Sequence, residues 1–375
     1  MTPDQIILHL SLVQGIGPAA VHYLIATCGS DNLHALYGAS AATLQQRFRI
    51  SPARAQAVAD GLADCAFLER ELALIERYNA SWMTIAHEQY PPLLRAIHVP
   101  PPVLYWYGAA PSYANAFAII GSRQATSYGQ KAISSLVPAL VAQGYTIVSG
   151  GAIGADTMAH RATLDAGGVT CVVVGAGLMH PYPTSNKRLF DEVCVRGGTI
   201  LSIFPMDTIG YPSNFPERNR VIAGLSSGCL VVQAARKSGT RITAEFALEQ
   251  GRDVFAIPGP FDDVLSEGCH ALIKDGATLV TSISDIFPEL GKEHENAQQD
   301  ESQQQTSIEA AEEVPAREMP KTPTQQVLNL CARPVSTDDL MAATALDLVD
   351  LNELLFNLQI SGQIAQTFTG LWHRR

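Results

Sequence analysis

Between residues 118 and 259 the hydrophobic positions fall into short β-like runs, each ending in small residues. The runs are 118–123, 146–151, 172–177 and 230–233, and 253–259 reads as a late strand. Three of the four turns lead into helix-like periodicity, and helical patterns cover 128–143, 156–166, 187–195, 217–225 and 243–250. Strands alternating with helices predict an α/β fold with a parallel sheet. An open parallel sheet binds its ligand beyond the carboxyl ends of its strands.

The flanks have different patterns. Residues 1–75 are helical, with Gly15-Ile16-Gly17-Pro18 breaking one amphipathic run and starting the next. Two helices around a tight G-x-G turn resemble a helix-hairpin-helix or SAM-like module, whose backbone amides can hold a DNA phosphate. The alternative is an ordinary helical corner, and no Lys or Arg occurs before Arg47. Residues 76–117 are rich in proline and aromatics and predict a connector packed on the core of 118–289. Residues 290–322 hold Glu, Gln and Ser with few large apolar groups, which predicts a disordered acidic linker. Residues 323–375 regain helical spacing and end in a stretch that suits a small β-wing, so a winged-helix domain is expected. Its third helix carries Asp347, Asp350 and Glu353 and no base. A DNA-reading helix should be basic, so the tail is expected to be structural or to contact protein.

Composition narrows the class. The chain has 375 residues, 47% hydrophobic and 16% charged, with net charge −11. That charge seems to exclude a nucleic-acid partner, but residues 291–320 alone contribute a net −6. The α/β core can still present a local basic patch, and the local field decides. No apolar run approaches the ~20 residues of a membrane helix. The first residues lack a basic secretory region, and none of the seven cysteines forms C-x-x-C. A cytoplasmic protein with reduced thiols is expected.

The strand ends carry the candidate chemistry. Gly121-Ser122-Arg123 offers a hydroxyl, backbone amides and a guanidinium, a set suited to phosphate. Ser149-Gly150-Gly151-Ala152-Ile153-Gly154 precedes a helix and can form an anion nest. It is not G-x-G-x-x-G and lacks an acidic ribose ligand about 20 residues on, so no dinucleotide cofactor is expected. Asp156 reads as a helix cap. Lys187 and Arg188 occupy a helical first turn, where cations oppose the helix dipole and call for an anion. Phe190, three residues beyond Lys187, suits base stacking or burial equally. Asn214 precedes Phe215-Pro216-Glu217-Arg218-Asn219-Arg220, a second early-helix cluster of bases and amides that Glu217 can alternatively pair. Ser238-Gly239-Thr240 is a hydroxyl-rich turn opening a further helix. No Ser-His-Asp order or zinc spacing is present, and His160 and His180 are isolated. Catalytic and metal residues are therefore not assigned.

Taken together, these blocks resemble the DNA-processing protein A family, DprA, also called Smf. The pattern is I-G-S-R…Y-G, S-G-x-A-x-G-x-D…A-H, Y-P-x-x-N-x-x-L, F-P-x-R-N-R-x-I-A-G, S-G-T-x-I-T-A…E-x-G-R-x-V-F-A-I-P-G and G-x-x-x-L-I-x-x-G-A, kept in order over about residues 115–285. The resemblance implies an extended Rossmann-like core and a non-enzymatic single-stranded DNA binder of natural transformation. It implies a homodimer through that core, protection of incoming single strands and help in loading the recombinase RecA. The phosphate pocket then maps onto Ser122, Arg123, Lys187 and the 215–220 block, with Phe190 as a stacking residue. Two positions depart from the pattern: Ile153 stands where a base is usual, and Ile203 where an acid is usual. A competing reading comes from nucleotide phosphoribohydrolases, whose G-G-x-G-T-x-x-E loop Gly239-Thr240 and Glu245 loosely resemble. It would make Glu245 catalytic on a mononucleotide.

Overall fold

The computed structural model describes residues 1–290 except 112 and 114, and then 323–332, 335, 337–344, 351, 354, 355, 358, 359, 363–366 and 371–374. The linker expected at 290–322 and the three acids of the expected third tail helix therefore lie almost wholly outside the described residues.

The chain divides into two compact units, Met1–Ala297 and Gln298–Arg375. The first begins with helices α1 (Pro3–Leu12), α2 (Pro18–Cys28), α3 (Ala41–Phe48), α4 (Pro52–Ala63) and α5 (Ala66–Arg77). Helix α1 starts on a capping box between Thr2 and Gln5. Gly15, at φ 82°, turns the chain toward α2. These helices share a core with the sheet behind them: Ile6, Leu10, Val21 and Leu24 cluster with Val103, Tyr105, Val172 and Ile200.

The remaining elements alternate. They are β1 (Ser81–Thr84), α6 (Pro92–Arg95), β2 (Val103–Gly108), β3 (Ala116–Ile120), α7 (Ser127–Ala142), β4 (Thr146–Ser149), α8 (Ala155–Asp165) and β5 (Thr170–Val173). Then follow α9 (Lys187–Val195), β6 (Thr199–Ser202), α10 (Asn214–Leu225), β7 (Gly228–Val231), α11 (Gly239–Glu249), β8 (Asp253–Ala256), α12 (Glu267–Lys274) and β9 (Thr278–Leu279). They form one nine-stranded sheet in the order β1-β2-β6-β5-β4-β3-β7-β8-β9. Strands β3 to β9 are parallel; β2 joins β6 antiparallel, with Tyr105 opposite Ser202. The proline- and aromatic-rich segment is thus more than a packed connector, because it supplies the two antiparallel strands at one side of the sheet, β1 at the edge and β2 next to it. The central parallel strands are buried along their whole length, as their largely apolar sequences require.

Strand order fixes where the site falls. From β3 the chain builds outward through β4, β5 and β6, then returns to the other side of β3 with β7, β8 and β9. The reversal lies between β3 and β7, and a doubly wound sheet opens its crevice at that switch point. The second unit contains helices Pro323–Leu330 and Thr337–Thr344 and the antiparallel pair β10 (Ile364–Gln366) and β11 (Trp372–Arg374) around a small core that includes Val327, Leu340 and Trp372. All seven cysteines are free thiols, five of them buried. Among the described residues no helix is long and apolar enough to cross a membrane.

Candidate nucleic-acid interface

A cleft of about 510 Å³ opens at the switch point. One wall is the turn after β3, with Gly121, Ser122, Arg123 and Gln124; the other is the start of α11, with Ser238, Gly239, Thr240 and Thr243. Its floor carries Asp156, Arg218 and Asn219. Seven of the sequence-predicted residues therefore meet here: Gly121, Ser122, Arg123, Arg218, Asn219, Ser238 and Thr240.

The donors differ in how far the protein has already used them. Arg218 is buried, and its guanidinium donates to the carbonyls of Gly150 and Val173. Its Nε donates to Asn219 Oδ1 at 3.0 Å, which orients the amide. Burial lowers its pKa to about 10, with Asp156 opposing that shift. Burial pushes the Asp156 carboxyl up, countered by Arg218 and by hydrogen bonds from Ala152, Ser149 and Gly150. The two charges largely cancel, so the floor holds the cleft together more than it attracts. Arg123 is different. It is exposed, its guanidinium sits 5.9 Å from the Phe215 ring centroid, and among the described residues no carboxylate pairs with it. The Ser122 hydroxyl accepts from Gln124 N at 3.0 Å and keeps its own proton to donate.

Helix α11 completes the anion site. Among the described residues no side chain caps its N-terminus, no acid stands in its first turn, and the buried Ser238 Oγ has no partner. A helix N-terminus carries roughly half a positive charge, and its first amides lack intrahelical acceptors. An anion between Arg123 and α11 would satisfy both.

Several expected contacts are corrected. Phe190 does not face the cleft: it is 4% exposed, and its ring packs under Gly151. Leu189, Phe190 and Val193 form the buried stripe of α9, so Lys187 at its edge is exposed and Phe190 is not. Lys187 and Arg188 open α9 in solvent and do not line the cleft. Ser149 is buried and donates to Ile119 O at 2.6 Å. Arg220, two positions from Arg218, points from another face of α10 and donates to the carbonyls of His98 and Val99. Asn214 donates to Ile209 O at 3.5 Å and accepts from Ser213 Oγ at 3.4 Å, and it does not line the cleft.

The glycine-rich turn is not an open anion nest. A Cβ at Gly150 would lie 2.8 Å from Arg218 Cζ and Asp156 Oδ2. Gly154, at φ 90°, would meet Ser122 O at 2.4 Å. Both glycines admit protein atoms, not ligand. Sequence reasoning missed Gln124, Ala235 and Leu265, which carry no motif signal, and the cleft-facing role of Phe215, which stood in a recognised block. Glu245 pairs with Arg241 at 3.7 Å and does not line the cleft, so the phosphoribohydrolase reading gains nothing from the geometry.

Fold and site define a doubly wound α/β protein whose switch-point crevice is fitted with anion donors. The family described as DNA recombination-mediator protein A matches residues 81–291, and the chain belongs to it. Protein Smf of Escherichia coli K12 is 42% identical over 224 residues, 60% of each chain. DNA processing protein DprA of Bacillus subtilis is 40% identical over 225 residues, 60% of this chain and 75% of that one. Protein Smf of Synechocystis is 34% identical over 319 residues, 78% of this chain and 79% of the other. The crystal structure of DprA from Streptococcus pneumoniae superposes with TM-score 0.67 at 33% identity, covering 77% of this chain and 99% of that chain. A DNA processing protein A from Helicobacter pylori, described for its single-stranded DNA binding mode, has TM-score 0.51 at 29% identity over 57% of this chain and 96% of its own.

Proposed function

We propose that the chain binds single-stranded DNA along the switch-point cleft and serves as a recombination mediator in natural transformation. In this role it protects incoming strands and helps to load RecA, without catalysing a reaction itself. The observation that carries the reading is that, among the described residues, no carboxylate pairs with the Arg123 guanidinium and no side chain caps the start of α11, the two lining one cleft. Such a site takes phosphate and reads no base edge, which suits a protein that must accept any incoming sequence. The single-strand binding of the H. pylori relative supports the same reading. We propose that the protein works as a homodimer through its α/β domain, and that the tail is a winged helix without a DNA-reading role.

The test is an anisotropy titration of matched single- and double-stranded oligonucleotides. Preference for the single strand, weakened by Arg123→Ala in a folded protein, is expected. Equal binding of both forms, unaffected by Arg123→Ala, would remove the cleft as the DNA site. Light scattering should give twice the 40.2 kDa chain mass.

A further inference from the structure

The two walls of the cleft come from turns far apart in the sequence, and the gap between Arg123 and the start of α11 must match a phosphate. We propose that Gln233 is a positioning residue for DNA binding: it clamps the Arg123 turn to the chain that leads into α11, and so sets that gap. The inference rests on the proposed binding of single-stranded DNA in the cleft. Gln233 itself is buried and does not line the cleft, so it acts through its neighbours and not on the ligand.

Three observations carry it. The first is where Gln233 stands. It lies just beyond β7, and Ala235, Ser238 and Gly239 of the opposite wall follow it along the chain. The second is its grip on both ends of the Arg123 turn. Ser122 N donates to the Gln233 backbone carbonyl at 2.7 Å, and Thr126 N donates to its Oε1 at 2.8 Å. The Thr126 hydroxyl donates to the same Oε1 at 3.3 Å and accepts from Tyr128 N, which starts α7. The exposed Arg123 sits between these two anchors. A side chain on a turn fixed at both ends loses less freedom when it closes on a phosphate.

The third is what the fit costs. A backbone N–H can only donate, so the atom facing Thr126 N is the carboxamide oxygen, and Nε2 is left buried with no partner among the described residues. Buried donors are seldom left unpaired, so the orientation serves the turn and not the carboxamide. The glycines of the I-G-S-R…Y-G block make room for it. A Cβ at Gly121 would lie 3.2 Å from Gln233 O, and one at the buried Gly129 would lie 2.7 Å from its Oε1. That block therefore encodes the clamp as well as the arginine it holds.

The experiment measures oligothymidylate binding by anisotropy at several salt concentrations for wild type, Gln233→Met, Arg123→Ala and the double variant. Met fills similar space and offers Thr126 no oxygen. Gln233→Met should weaken binding by about 2- to 13-fold, the penalty for ordering one more side chain on binding. The salt slope should stay at its wild-type value, because the phosphate contact is still made once the strand is bound. In the Arg123→Ala background Gln233→Met should have no further effect, since residues that act as one unit are not additive. Gly129→Ala reaches the same clamp from α7. Its methyl group pushes Oε1 off Thr126 while raising helix propensity, so the same loss should come without a fall in thermal stability. Should Gln233→Met not fold, Gly129→Ala decides alone. If folded variants at 233 and 129 keep full affinity while Arg123→Ala weakens binding, the clamp is wrong and the cleft stands. Equal loss from Gln233→Met in both backgrounds would overturn action through Arg123. If Arg123→Ala changes nothing, the cleft reading fails and takes the clamp with it.

Discussion

Helices α8 and α11 start from the same edge of the sheet, and their N-termini are treated in opposite ways. At α8 the protein supplies its own anion. Asp156 accepts from Ala152 N at 3.2 Å and faces the buried Arg218, and Ala155 N donates to Ser122 O at 3.1 Å. At α11, among the described residues, nothing of the kind is present: no side-chain cap, no acid in the first turn, and a buried hydroxyl without a partner. One positive helix end is neutralised internally and serves the fold; the other is left for a ligand. The glycine-rich turn, the better anion nest on sequence, is the structural one. The less distinctive Ser238-Gly239-Thr240 turn faces the cleft.

If the closed end is structural, breaking it should unfold the protein before it affects DNA. Removing one partner of a buried ion pair strands the other charge. Asp156→Ala and Arg218→Ala should each cost about 3–5 kcal/mol in denaturant unfolding. Either variant retaining full stability would contradict the division of labour. His160, on the same α8, adds a pH test. The Thr170 hydroxyl donates to Ile147 O, so it accepts from His160 Nδ1–H, and Nε2 is left buried with no partner among the described residues. Burial, with Arg218 nearby, lowers the His160 pKa from 6.5 to about 3. The unfolded chain thus binds a proton that the folded protein refuses. The stabilisation is complete above pH 6.5 and is lost as pH falls toward 3. At pH 5 the loss should reach roughly 2 kcal/mol, at 1.36 kcal/mol per pH unit. A His160→Gln variant should lack that increment, as unfolding curves at pH 7.5 and 5 would reveal.

The open end should respond in the reverse sense, with stability kept and affinity changed. Arg123→Ala should weaken single-strand binding by about 1–3 kcal/mol, the range for a charge-assisted hydrogen bond. It should also flatten the log–log salt slope by about 0.7, uniformly across base sequences. Ile153→Arg, at an exposed position in the turn before α8, should steepen that slope by about 0.7. If both leave the slope at its wild-type value, the strand does not follow this edge of the sheet.

The same contrast explains what was legible in the sequence. Strands β3, β4, β5, β7 and β8 were read because unbroken apolar runs between small-residue turns mark buried parallel strands. Helices α10 and α11 were read starting at 217 and 243, late by three and four residues, because Pro216 and Gly239 depress helical signal within the first turn. Strands β1 and β2 were read as connector because prolines crowd the stretch between them and neither alternates in hydrophobicity. The residue types of the site were legible, and its directions were not. Arg218 and Arg220 are equivalent as sequence, yet one floors the cleft and the other ties down the loop at 98–99. Phe190 and Tyr182 are both aromatics near Lys187, yet only the fold decides which one is core. A motif states which chemistry is available; facing is set by tertiary packing.

The finest test exchanges the characters of the two helix ends. Ser238→Asp would place at α11 the kind of carboxylate that α8 already has. An acid at a helix N-terminus interacts favourably with the dipole, so the folded protein should gain about 0.3–1 kcal/mol. The same carboxylate would occupy the α11 amides and repel phosphate beside Arg123. Single-strand affinity should therefore fall while thermal stability rises, a pairing that a general folding defect cannot produce. Ser238→Ala separates the two contributions: it removes the hydroxyl donor without adding charge, so affinity should fall less and the salt slope should stay fixed. If Ser238→Asp stabilises the protein and leaves DNA affinity unchanged, the start of α11 is an ordinary uncapped helix, and Arg123 must find its phosphate elsewhere.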